Sequence, residues 1–140
     1  PADNTSVEEP DVVSKLQSDP APVSASPLEL RSVRFVGKGN GLELHSGELA
    51  KVVVEVYNNT PEYMYNVKPM VMETSGNKHV FVSAPIIVEK IAPGKGIRYT
   101  AMVKADKKLK DGKVHFTVCA QESAQLRKSE IREFDVTTIR

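Results

Sequence analysis

The 140-residue chain has no tryptophan and a single cysteine, Cys119. One cysteine excludes an intrachain disulfide, so packing alone must hold the fold; exported domains of this size manage without bridges. No apolar run approaches the ~18 residues that cross a bilayer, so no membrane span is expected. Histidine is scarce: His45, His79 and His115 fall on different expected strands, and none has a metal-ligand spacing. His115 and Cys119 share a strand face, but four strand residues separate them by roughly 13 Å, too far to share an ion. The motifs G-x-S-x-G and H-E-x-x-H are missing, and Cys119 has no identifiable base and orienting group for nucleophilic work. No catalytic residue, metal site or cofactor is expected, and the chain reads as a non-enzyme.

Neither charge dominates. The net charge is +1, but it is unevenly placed. Residues 1–27 carry Asp3, Glu8, Glu9, Asp11 and Asp19 against Lys15 alone, a net of −4, leaving +5 for residues 28–140. That small surplus is interleaved with Asp and Glu and lacks a basic-aromatic cluster, so no nucleic-acid partner is expected. Residues 1–27 also hold Pro1, Pro10, Pro20, Pro22 and Pro27 among Ser, Asp and Ala. Such a stretch buries too little apolar area to offset its ordering entropy, and it reads as a disordered acidic tether. Val12, Val13 and Leu16 suggest one weak helical turn within it.

Residues 28–140 carry the period of two that half-buried strands require. Ala50, Val52, Val54 and Val56 fall on one face, and Lys51 and Glu55 on the other. Ile97, Tyr99, Ala101 and Val103 repeat the pattern, as do Val114, Phe116, Val118 and Ala120. Turn signals at Gly37–Gly41, Ser46-Gly47, Ser75-Gly76-Asn77 and Pro93-Gly94 divide the strands, and Asp111-Gly112 is a hairpin-type dipeptide. The spacing predicts an all-β, immunoglobulin-like sandwich of seven to eight antiparallel strands. Residues 64–72 are apolar on both sides, with Val67 and Val71 opposed to Met70 and Met72. This strand is expected either to be central or to have one side covered by a partner.

Gly37–Gly41 superficially resembles a phosphate loop. It lacks the following helix and the Lys-Ser/Thr pair, and a turn is expected. Calcium there would have only Asn40 and Glu43 as candidate ligands. Asn58-Asn59-Thr60 and Asn4-Thr5-Ser6 match the glycosylation sequon.

The order Asn40-Gly41, Gly47-Glu48, Val52–Val56, Asn58 and Pro93-Gly94 resembles the CARDB-type (cell-adhesion-related) bacterial immunoglobulin-like domains. Their V-x-V-x-N strand end and I-x-x-I-x-P-G turn correspond here to Val54–Asn58 and Val88–Gly94. The Asn-Asn-Thr-Pro loop and the lack of tryptophan depart from that pattern. The resemblance implies an interaction or spacer module and brings no catalytic residues. It also implies export to the periplasm or cell surface, as a lipoprotein in one version. The opening PADNTSVEEP is no signal peptide, so a signal is expected either to have been removed or to lie outside the given sequence.

Tyr57, Asn58, Asn59, Tyr63 and Tyr65 gather around one loop and are the candidate binding residues. Exposed tyrosines beside amides anchor proteins or stack on sugar rings. The expected partner is a protein or a neighbouring domain of the same chain, the alternative is a carbohydrate, and a sandwich-fold hydrolase comes last.

Overall fold

The computed structural model describes residues 13–16 and 26–140. The described residues form ten strands: β1 (Val13–Leu16), β2 (Leu28–Val36), β3 (Glu43–His45), β4 (Leu49–Asn58), β5 (Met64–Glu73), β6 (Val80–Val82), β7 (Val88–Ile91), β8 (Gly96–Ala105), β9 (Gly112–Glu122) and β10 (Arg132–Ile139). They build two facing sheets, the immunoglobulin-like sandwich that the alternation predicts. The first runs β1-β8-β4-β2, with β6 also on β8; the second runs β3-β10-β9-β5-β7. Pairing is antiparallel except between the short β3 and β10, which run parallel.

The alternation becomes the core. Val52, Val54 and Val56 of β4 and Tyr99, Ala101 and Val103 of β8 are fully buried, as are Phe116 and Val118 of β9. Phe116 lies between Phe35 and Phe134, with ring centroids 6.3 and 5.4 Å away, an aromatic row within the core.

Two irregularities shape the surface. In β2 the register slips between Leu30 and Ser32, so Arg31 is an extra residue. Leu28 and Leu30 pack inward before it, and Val33 and Phe35 after it. In β5, Asn66 takes the left-handed region at φ 55°, which leaves both Tyr65 and Asn66 exposed between buried Met64 and Val67. Val67 and Val71 face the core, while Met70 is half-buried and Met72 exposed on the outer side.

Glu48 is buried although charged. Its carboxylate accepts the backbone N–H of His45 at 2.7 Å and that of Lys38. A side-chain anion therefore already fills the Gly37–Gly41 turn that resembled a phosphate loop.

Three expectations change. Val13–Leu16 is extended and pairs with the Gly96–Tyr99 end of β8, where a helical turn was expected. A single isolated turn fixes several dihedrals for one hydrogen bond, whereas a sheet edge offers a ready ladder. Val12 and the remaining tether residues, 1–12 and 17–25, lie outside the described residues. Asp111-Gly112 closes no hairpin, because β8 belongs to the first sheet and β9 to the second. The turn carries the chain between layers, and every connection from β2 to β9 does likewise. Finally, β1 and the three-residue β3 and β6 bring the count to ten strands.

Candidate functional site

The Asn58–Tyr63 loop links β4 in one sheet to β5 in the other, at one end of the sandwich. Asn58 organises it from within. The side chain is fully buried and donates to the carbonyls of Glu62 (2.7 Å) and Ile91 (2.8 Å). Its Oδ1 accepts from the Thr60 backbone N–H (3.0 Å) and hydroxyl (2.6 Å). All the polar capacity of the amide is spent inside the fold.

Tyr57 is also interior, at 4 % exposure. Its ring lies over Gly96 so closely that a Cβ there would come within 2.7 Å of it. Arg31, thrown out by the β2 bulge, covers the other face, with its guanidinium carbon 3.8 Å from the ring centroid. Asn59 locks this lid. It accepts from Arg31 (3.0 Å) and donates to the Ser26 carbonyl (3.0 Å) and the Glu29 carboxylate (2.8 Å). Burial works to raise the Glu29 carboxyl, but the Asn59 and Arg31 bonds outweigh it and hold the group below its ordinary range.

Tyr63 and Tyr65 remain open to solvent, at 46 % and 48 % exposure. Their rings stack 6.1 Å apart with a 21° tilt, and the Lys90 ammonium sits 5.6 Å from the Tyr63 ring centroid. Lys90 is the β7 residue paired with Tyr65. The outer face continues along β5 to Met70, paired with half-buried Cys119, and to exposed Met72, paired with Thr117. Burial pushes the Cys119 thiol up, away from the reactive thiolate. The five candidate residues thus divide: Tyr57, Asn58 and Asn59 build the loop, while Tyr63 and Tyr65 offer a surface.

Sequence reasoning passed over one pair at this end. Glu122 continues the inward row of β9 and is 1 % exposed. Arg127 meets it with two bonds, 2.9 and 3.1 Å, across what reads in sequence as a loop. The available signal was parity: Glu122 follows Val118 and Ala120 at the same spacing.

Each histidine meets its own carboxylate. His79 faces Asp106 at 3.0 Å and His45 faces Glu43 at 3.6 Å. His115 bridges Asp135 and Glu133, each at 2.7 Å. No group of three His, Cys, Asp or Glu side chains suited to a metal occurs among the described residues. The Asp135 and then the Glu133 bond hold His115 protonated above its ordinary 6.5. Its contribution to stability is therefore complete below 6.5 and is lost as pH rises through the higher folded value. A proton NMR titration should find the His115 midpoint above 6.5, and Asp135→Asn should bring it back down.

No family model matches this sequence, and no curated protein matches it. Solved structures share the fold. Trypsin-activated alpha-2-macroglobulin from Escherichia coli superposes with a TM-score of 0.55 at 12 % identity, over 81 % of this chain. The chain spans only 7 % of that protein's length. AvmM, described as catalysing macrocyclization in alchivemycin A biosynthesis, gives 0.52 at 5 % identity, covering 78 % of this chain and 88 % of AvmM. The PapD-like domain 7 of human CEP192 gives 0.47 at 12 % identity, covering 90 % and 93 %.

Proposed function

We propose that this chain is a non-catalytic interaction or spacer module of an exported bacterial protein, and that it meets a protein partner through the outer face of the second sheet. The observation that carries the reading is the solvent-exposed Tyr63–Tyr65 stack, continued by Met70 and Met72 along β5. Exposed aromatic and methionine side chains on a stiff strand are the material of interface anchors, which lose little conformational entropy when buried. The half-buried, high-pKa Cys119 and the exposed, fully bonded His115 support the non-catalytic part. Export and kinship to the CARDB-type domains rest on the V-x-V-x-N and I-x-x-I-x-P-G elements.

A photo-crosslinking residue at position 65 or 72 should capture a discrete protein partner in source cells, while one at Lys107 should not. Tyr63→Ala/Tyr65→Ala should abolish that capture with little change in the melting midpoint. Equal capture from Lys107, in the turn between β8 and β9, would overturn the reading.

A carbohydrate partner is the second reading, favoured by the 21° tilt of the two rings, which makes a platform that a sugar can lie across. Affinity electrophoresis in polysaccharide gels decides between them. Retardation lost in the double variant supports the sugar, and free migration in every gel removes it. Turnover of a generic ester or glycoside substrate, lost on Cys119→Ala or His115→Ala, would overturn both.

A further inference from the structure

The β1–β8 contact carries a second recognition surface, independent of the tyrosine face. One edge of β8 is covered along its length by β4, from Leu49 opposite Lys104 to Tyr57 opposite Gly96. The other edge is covered piecemeal. Strand β6 takes Val103–Ala105, and Ser83 exchanges bonds with the Met102 backbone. Val13–Leu16 takes Gly96–Tyr99.

That last occupant fits the backbone better than the pattern. Register sets Val13 level with Tyr99, Ser14 with Arg98, Lys15 with Ile97 and Leu16 with Gly96. Ile97 and Tyr99 are core residues, 3 % and 0 % exposed, so a strand beside them should carry apolar residues at both levels. Val13 meets that demand, but Lys15 occupies the other level. Shifting the register by one moves Lys15 off that level at the cost of the Val13 match. The level of Arg98 is also under-used. The side chain is 43 % exposed, but among the described residues its Nε is buried with no hydrogen-bond partner, and the guanidinium meets the Glu55 carboxylate at a loose 3.4 Å. A carboxylate level with Arg98 would complete the guanidinium, where this chain presents Ser14. Four ladder pairs with half the side-chain pattern place β1 at the weak end of the structure.

We propose that the Gly96–Tyr99 edge of β8 is an acceptor for an extended peptide of the pattern apolar-acidic-apolar, and that Val13–Leu16 is its displaceable occupant in cis. The incoming strand adds to the first sheet by backbone pairing; Tyr99 and Ile97 select its apolar residues and Arg98 its acidic one.

The test uses the full chain and two fluorescein-labelled peptides: residues 12–18 as they stand, and the same segment with Ser14→Glu and Lys15→Val. Fluorescence anisotropy should show the substituted peptide binding about tenfold tighter than the native one. The variant Ser14→Pro/Lys15→Pro removes consecutive N–H donors, one of which must face β8, and so vacates the edge. It should bind the substituted peptide more tightly than the unaltered chain does, since the cis strand competes at millimolar effective concentration. Arg98→Gln should remove the preference for glutamate, and Tyr63→Ala/Tyr65→Ala should change nothing. Hydrogen exchange gives a reading that requires no variant: among the amides of 96–99, those facing β1 should exchange far faster than those facing β4. Three results would overturn the proposal: equal affinity for the two peptides, no binding to the proline variant up to about 1 mM, or equal protection of both sets of amides. A concentration-dependent dimer abolished by the prolines, without peptide binding, would identify a second copy as the occupant and refute the peptide.

Discussion

Arg127→Ala is expected to lower the unfolding free energy by about 2–4 kcal/mol at neutral pH. The loss is not mainly that of an ion pair. Glu122 is 1 % exposed, and without the guanidinium its carboxylate loses both side-chain bonds and the opposite charge beside it. In the intact protein the Arg127 bonds outweigh burial and hold the Glu122 carboxyl below its ordinary 4.5. A carboxyl lowered on folding stabilises fully above 4.5, and its contribution is lost as pH falls through the lower folded value. In the variant, burial is opposed only by the backbone bonds from Arg127 and Gln125, and the carboxyl rises from its value in the intact protein. The deficit between variant and parent should therefore shrink as the pH falls towards 4. Urea denaturation at several pH values checks this. Glu122→Gln/Arg127→Met should recover much of the loss, because a neutral amide costs less to bury than an unpaired charge. A deficit independent of pH would show that Arg127 acts by packing alone.

Asn58→Asp is expected to cost about 2–4 kcal/mol although it changes only one atom group. The amide donates to the Glu62 and Ile91 carbonyls, and a carboxylate would set oxygen against oxygen at both, inside a fully buried site. The Thr60 bonds to Oδ1 survive the change, so Asn58→Asp isolates the donor half of the amide. Asn58→Ala removes both halves and should cost at least as much. Both variants should also loosen the Glu62–Tyr63 end of the loop and so weaken whatever binds Tyr63 and Tyr65. If Asn58→Asp kept full stability but lost binding, Asn58 would be a contact residue and not the loop's organiser.

The two layers were legible in the sequence because burial on one face imposes a period of two that composition cannot hide. Val52, Val54 and Val56 show it, and so does its interruption: Leu28 and Leu30 fall out of phase with Val33 and Phe35, which is the signature of the Arg31 bulge. The roles of the loop residues were not legible. Parity puts Tyr57 on the outer face with Lys51 and Glu55, where exposure is the natural reading. It is buried because the bulge sends Arg31 across it, and a bulge's reach is a three-dimensional matter. Asn58 and Asn59 look alike in sequence, yet one bonds inward to the loop and the other sideways to the Arg31–Glu29 pair. Glu122 was hidden by its own chemistry, since a glutamate at a strand end signals solvent unless its partner is already known.

Because every connection from β2 to β9 passes from one sheet to the other, no contiguous fragment of the chain contains one complete sheet without strands of its opposite. Neither layer can assemble ahead of its opposite, and the closing contacts join residues far apart in sequence. Refolding should accordingly be a single slow event, on the order of milliseconds to seconds, with both sheets gaining protection together. The β9–β10 hairpin, whose consecutive strands pair directly within one sheet, is the natural place for that event to begin.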